Sequence, residues 1–117
     1  MKSIEPRPIS PQESAVVRQA LLVGSIKGAP VIEGAKVGSL RVIGICECGC
    51  ASVQFECAPG ENRQLADASG ATQSGERVDI IIWGRNDEVS ELEFVDHGGS
   101  GELPSRVMSW EAAGNAF

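Results

Sequence analysis

Residues 40–57 read LRVIGICECGCASVQFEC and contain all four cysteines of a chain of 117 residues. The segment 40–46 is rich in valine and isoleucine, which favour a β-strand. Apolar and polar residues alternate over 52–57, which is typical of a strand with one buried face. The two segments predict a β-hairpin, so Cys46–Ser52 lies at or next to its turn. Gly44, inside the first strand, indicates a bulge or the close approach of another backbone.

A second pair of strand-like segments follows. Residues 78–83 (VDIIIW) are almost all apolar and predict the most deeply buried strand, whereas residues 89–95 (VSELEFV) alternate again. Turn-forming residues at 84–87 separate them, so they predict a second hairpin. The glycine- and serine-rich segment 58–76 joins the two hairpins. Its composition predicts a long loop with at most a short element near residue 65.

The segment 10–13 (SPQE) predicts the start of a helix. The Ser10 side chain can accept a hydrogen bond from a first-turn amide, and Glu13 completes a capping box. Pro11 suits the first helical position, where the N–H that it lacks would have no partner. We expect the helix to end at Gly24 and to face the core with one apolar stripe, formed by Val16, Val17, Ala20 and Leu21.

Together these elements predict an α+β fold, with an N-terminal helix packed on an antiparallel sheet of about four to five strands built from two hairpins. Residues 1–9 contain two prolines and few apolar side chains, so they predict an extended or mobile arm. Residues 10–117 have the length of a single domain.

The composition excludes several classes of partner. The net charge is −6 and the basic residues form no cluster, which disfavours nucleic-acid binding because that binding depends on grouped Lys and Arg. No apolar run has the roughly 20 residues that a membrane helix requires, and the N-terminus lacks the apolar region of a signal peptide. We therefore expect a cytoplasmic protein with no nucleic-acid and no membrane partner. Its cysteines would be reduced thiols, metal ligands or a transient redox pair.

Cys46, Cys48 and Cys50 are the candidate metal ligands, because thiolates bind zinc, copper(I) and iron–sulfur centres. Alternate residues of a straight strand lie about 6.6 Å apart, whereas tetrahedral zinc requires sulfur atoms about 3.8 Å apart. The three cysteines can share one ion only if the chain curls, which Gly49 permits. His97 is a candidate fourth ligand if the loop after the second hairpin reaches this turn. The predicted metal is zinc in a structural role.

Cys57 is expected to stay apart from the other three cysteines. In a strand, residues 53, 55 and 57 share one face, and the ring of Phe55 marks that face as the core. We therefore expect the Cys57 side chain to be buried beneath the N-terminal helix.

Other interpretations remain open. The cysteines can be reduced thiols without a ligand, or Cys48 and Cys50 can form a strained redox disulfide. No basic residue flanks that pair to lower a thiol pKa, and Glu47 would raise it. The chain can also be a metal-free interaction module, for instance a homodimer formed through a sheet edge. It contains no complete catalytic motif, which leaves enzymatic activity open but favours a protein that is not an enzyme.

Three segments together resemble a set of small bacterial proteins that have no established activity. They are a C-x-C-G-C-x-S/T-V segment (Cys46–Val53), an apolar strand (Val78–Trp83) and an S-x-L-E-hydrophobic strand (Ser90–Val95). The resemblance covers about the middle half of the chain. It implies a bacterial, single-domain protein and assigns no functional residues.

Overall fold

The computed structural model describes residues 1–96, without the side chain of Asp96, and residues 101–112. These residues contain seven strands and two complete helices, and residues 110–112 are also helical. The strands are β1 (Lys2–Pro8), β2 (Arg41–Ile45), β3 (Val53–Phe55), β4 (Asn62–Ala71), β5 (Arg77–Arg85), β6 (Glu88–Asp96) and β7 (Arg106–Met108), and the helices are α1 (Pro11–Val23) and α2 (Gly34–Gly38).

The strands form one antiparallel sheet in the order β1-β2-β3-β6-β5-β4-β7. The predicted α+β class with an N-terminal helix is confirmed. The predicted number of strands is wrong, because the sheet has seven strands and the prediction was about four to five. Both predicted hairpins are present, as β2–β3 and as β5–β6. The bulge expected at Gly44 is present as a shift of register between Val42 and Gly44.

Helix α1 begins and ends where the sequence predicts. Ser10 Oγ accepts a hydrogen bond of 3.0 Å from the Glu13 N–H, and Glu13 Oε1 accepts one of 2.9 Å from the Ser10 N–H. Gly24 is the C-cap residue. The buried stripe of the helix consists of Val16, Val17 and Ala20, and it covers one face of the sheet at β4, β5 and β7.

Strand β4 lies inside the segment that the sequence predicts to be a long loop, so that prediction is wrong. Small residues make β4 resemble a loop in the sequence, but here they permit a close approach of neighbouring elements. A methyl group at Gly24, at the end of α1, would lie 2.3 Å from the Asp67 carbonyl oxygen. A methyl group at Gly70 would lie 2.5 Å from Pro104 Cβ.

The first residues of the chain are part of the sheet. Strand β1 is extended and pairs with β2 from Lys2–Ile45 to Pro8–Arg41, with an irregularity between Ser3 and Arg7. It forms one edge of the sheet, a position in which a strand tolerates proline. No helix in the described part of the chain is both long enough and apolar enough to cross a membrane.

Candidate metal centre

The three clustered cysteines lie on a tight turn between β2 and β3. Cys46 directly follows β2, and its N–H donates to the Ser52 carbonyl across the base of the turn at 3.2 Å. The Gly49 N–H donates to the Cys46 carbonyl, also at 3.2 Å. Gly49 has a φ of +86°, a conformation that is strained for a residue with a side chain. The turn therefore depends on glycine, and it supplies the curl that a shared metal site requires.

The curl brings three sulfur atoms together. The Sγ atoms of Cys46, Cys48 and Cys50 all lie within 4.8 Å of one another, so the cluster can hold a metal ion. The Sγ atoms of Cys46 and Cys48 are 2.6 Å apart. This distance exceeds the disulfide bond length of about 2.05 Å, and both residues are free cysteines. Cys48 is exposed, and the other two are half-buried. No other group of three potential ligand side chains lies this close among residues 1–96 and 101–112.

Ser52 connects the cluster to the centre of the sheet. It is 6% exposed, and its Oγ accepts a hydrogen bond of 2.9 Å from the Phe94 N–H on β6. The same oxygen lies 3.4 Å from the Phe94 carbonyl oxygen and 3.4 Å from Cys50 Sγ. Sequence reasoning missed this residue, because only the pairing of β3 with β6 shows that Ser52 is buried next to Phe94.

The thiols of Cys48 and Cys50 have opposite electrostatic environments. Burial by itself would raise the pKa of Cys50. Interactions with the Ser52 side chain and backbone, and with the Cys48 and Cys46 thiols, outweigh the effect of burial and lower the pKa to about 7. The interaction with the Cys46 thiol, with a smaller contribution from Cys50, raises the pKa of Cys48 to about 11. The pKa of Cys50 is therefore lowered by hydrogen bonds, without the basic neighbour that the sequence lacks.

Cys57 lies outside the cluster, as expected. Its surroundings differ from the prediction, because β3 ends at Phe55 and Cys57 is half-buried rather than buried. It lines a cavity together with Ile32 and with Lys36 of α2. The expectation that it lies in the core beneath the N-terminal helix is therefore wrong.

The predicted fourth ligand, His97, lies outside the described residues. Described residues on both sides of it lie next to the cluster. Phe94 bonds to Ser52, and a methyl group at Gly101 would lie 3.8 Å from Cys50 Cα.

Comparisons with models of protein families, with curated proteins and with solved structures found no match.

Proposed function

We propose that Cys46, Cys48 and Cys50 bind one zinc ion and that the ion has a structural role. The carrying observation is that their three Sγ atoms lie within 4.8 Å of one another on one turn. Zinc binds thiolates without a geometric preference of its own, and closed thiolate sites stabilise short irregular segments. The turn between β2 and β3 is such a segment, because it lies outside the strands and only two backbone–backbone hydrogen bonds are recorded within it.

Small side-chain movements convert the cluster into a tetrahedral site. Sulfur atoms that share one zinc ion lie about 3.8 Å apart, a value between the 2.6 Å that separates Cys46 from Cys48 and the 4.8 Å limit of the group. The exposed side chain of Cys48 is free of packing constraints, so it can rotate towards the ion. Binding deprotonates the thiols, which makes the affinity for zinc rise with pH.

We propose His97 as the fourth ligand. Phe94, three residues before it, contacts the turn through Ser52, and Gly101, four residues after it, lies beside Cys50. Three residues of chain span at most roughly 11 Å, so the chain length allows the imidazole to reach the cluster. Neutral imidazole is a common partner of thiolates at structural zinc sites.

The cysteines and the resemblance described above support a proposal about the cellular context. All four cysteines are free, which fits a reducing compartment. We propose a small cytoplasmic bacterial protein. A homodimer through a sheet edge is less well supported, because edge strand β1 contains two prolines and edge strand β7 has three residues, features that disfavour strand addition.

Metal analysis of protein purified without chelator tests the proposal. We expect about one zinc ion per chain, bound by three sulfur atoms and one nitrogen atom in X-ray absorption spectra. Replacing Cys48 or Cys50 with Ser should remove the metal, whereas Cys57→Ala, the matched control, should retain it. His97→Ala should remove the nitrogen signal. A zinc content below about a tenth of an equivalent in a folded protein would refute the site.

A thiol redox function is the second candidate, favoured by the close approach of Cys46 and Cys48 and by the lowered pKa of Cys50. The Cys50 thiolate would attack a small disulfide, release one of its thiols and hold the other half as a mixed disulfide, which a neighbouring cysteine then displaces. Protein prepared anaerobically with reductant decides between the two functions. A metal-free, folded protein that reacts with oxidised glutathione to form a reversible disulfide between two of the three clustered cysteines would support the redox function over zinc binding.

A further inference from the structure

A cavity of about 640 Å³ opens at the other end of β3 from the cysteine cluster. Its volume lies in the range of small-molecule sites, roughly 300–1,000 Å³. One side is formed by α2 and the start of β2, and the opposite side by the turn between β5 and β6. Residues that follow β3 lie between these sides. Because the sheet order is β2-β3-β6, the two sides stand two strand spacings apart, which is roughly 10 Å.

Hydrogen bonds and packing fix both sides of the cavity. On the α2 side, Val37 is 1% exposed, and Arg18 of α1 donates to the Gly34 carbonyl at 3.0 Å. On the opposite side, Asn62 Oδ1 accepts hydrogen bonds from Arg85 at 3.2 Å and from Ser90 at 2.6 Å. The cavity is therefore formed before any ligand binds, as small-molecule sites usually are.

The charges of the cavity are separated by sign. Lys36 and Arg41 line the α2–β2 side, and Asp87 and Glu88 line the side at the β5–β6 turn, with Glu56 between them. None of these five side chains forms an ion pair with another described residue. Apolar surface on the α2–β2 side comes from Ile32 and Leu40, which are both half-buried.

We propose that this cavity binds a short apolar peptide with free termini. Its α-ammonium group would lie at Asp87 and Glu88. Its carboxylate would lie at Lys36, because the Arg41 guanidinium already donates to the Pro6 carbonyl of β1 at 3.3 Å. Two to three extended residues span about 7–10 Å, which matches the distance between the two sides. Apolar side chains of the peptide would contact Ile32 and Leu40. The proposal is independent of the zinc site, because the two sites share no residue.

Leucyl-leucine is the probe, and the thiol of Cys57 reports its binding. A bound peptide covers this cavity-lining thiol and slows its alkylation by iodoacetamide, which peptide mass spectrometry measures separately for each cysteine. At a peptide concentration of about ten times the calorimetric Kd, alkylation of Cys57 should fall about tenfold, because only the free protein reacts. The rates at the other three cysteines should not change.

Charge-deleted peptides and variants test the orientation. N-acetyl-leucyl-leucine and leucyl-leucine amide should each bind about tenfold more weakly, since each lacks one charge-assisted contact. Lys36→Gln should weaken the binding of leucyl-leucine but not that of the amide, which has no carboxylate to lose. Glu88→Gln should likewise affect only peptides with a free amine. Lys27→Gln and Glu5→Gln, at exposed positions outside the cavity, are the matched controls.

Two results would overturn the proposal. One is the absence of heat and of Cys57 protection at about 10 mM leucyl-leucine, beyond the millimolar range in which even weak sites bind. The other is equal weakening of leucyl-leucine and its amide by Lys36→Gln, because that pattern would show that Lys36 does not contact the carboxylate.

Discussion

Replacing Ser52 with Ala should raise the pKa of the Cys50 thiol in the metal-free protein. The Cys50 thiol donates to Ser52 Oγ at 3.4 Å. When the thiol ionises, the Ser52 hydroxyl can donate to the sulfur instead, and this hydrogen bond stabilises the thiolate. Alanine removes this bond but keeps the interactions of the sulfur with the Ser52 backbone and with the Cys46 and Cys48 thiols, which also lower the pKa of Cys50. The thiolate fraction at neutral pH therefore falls.

The structure limits the size of the effect. With a pKa of about 7, half of the Cys50 thiol is ionised at pH 7, and a return to the ordinary value of 9.0 would leave about one per cent ionised. That is a fall of about fiftyfold in thiolate. A thiolate whose pKa is two units higher attacks a disulfide about eightfold faster, since the Brønsted coefficient is about 0.4–0.5. The rate at pH 7 should therefore fall by at most about sixfold.

The assay follows the reaction of Cys50 with a small disulfide reagent from about pH 5 to pH 10, a range that brackets ordinary thiol values. Peptide mass spectrometry assigns the product to each cysteine. The midpoint for Cys50 should lie near 7 in the wild type and should move upwards in Ser52→Ala. An unchanged midpoint would refute the argument that Ser52 sets the ionisation of Cys50.

Ser90→Ala is the matched control. Ser90 is also buried, at 2% exposed, and its hydroxyl forms a hydrogen bond of 2.6 Å, but to Asn62 rather than to the cluster. It should leave the Cys50 midpoint in place. Ser52→Ala should in addition destabilise the fold by about 1–3 kcal/mol, because it leaves the buried Phe94 N–H without a partner, and urea unfolding measures that loss.

Three further predictions concern the rest of the domain. Gly24→Ala should lower the free energy of unfolding by about 1–3 kcal/mol, because the new methyl group meets the Asp67 carbonyl at 2.3 Å; unchanged urea unfolding would contradict the close packing of α1 on β4. Burial by itself would raise the pKa of Glu13, but hydrogen bonds from Arg7 and Ser10 lower it below its ordinary value of 4.5. Glu13→Gln should therefore destabilise the fold at pH 7 by about 1 kcal/mol. The difference in stability between wild type and Glu13→Gln should shrink as the pH falls below 4.5, because Glu13 is then protonated in the folded wild type as well. A difference that stays constant down to pH 3, about one unit below ordinary carboxyl values, would contradict this role of Glu13. Cys57→Ala should destabilise by about 1 kcal/mol, less than a fully buried truncation, and a loss above about 3 kcal/mol would show that Cys57 belongs to the core.

The sequence predicts elements whose determinants are local. The capping box at residues 10–13 specifies the start of α1 through atoms three residues apart. The alternation over residues 89–95 likewise specifies which side chains of β6 face the core. Strand β4 was missed because its small residues become informative only when α1 is already packed on them. In the sequence alone, alanine, serine and glycine favour a loop. In the structure, these small residues allow the close packing of a helix that lies about 45 residues away in the sequence.

In the candidate site, too, the features with local determinants are predictable from the sequence and those that depend on distant strands are not. The three cysteines and the role of Gly49 follow from residue types and from strand geometry, because the distance argument needs only the rise per residue. The role of Ser52 depends on β6, which lies 42 residues further along the chain at Phe94. Cys57 was misplaced because period-two reasoning assumes that a strand continues, and β3 ends two residues earlier, at Phe55.

Strand β3 connects the two proposed sites. It has three residues, Val53–Phe55, and it lies in the middle of the sheet between β2 and β6. Its own pairing is short, so its position depends on what holds its two ends. Ser52 anchors the first end to Phe94, and the Glu56 N–H anchors the second end by donating to the Arg41 carbonyl at 2.9 Å. A metal ion at the cysteine turn would constrain the first end further, since ligation fixes side chains that are otherwise free to rotate. The proposed zinc ion would thus stabilise the short strand from which the central part of the cavity extends, without contributing a side chain to the cavity.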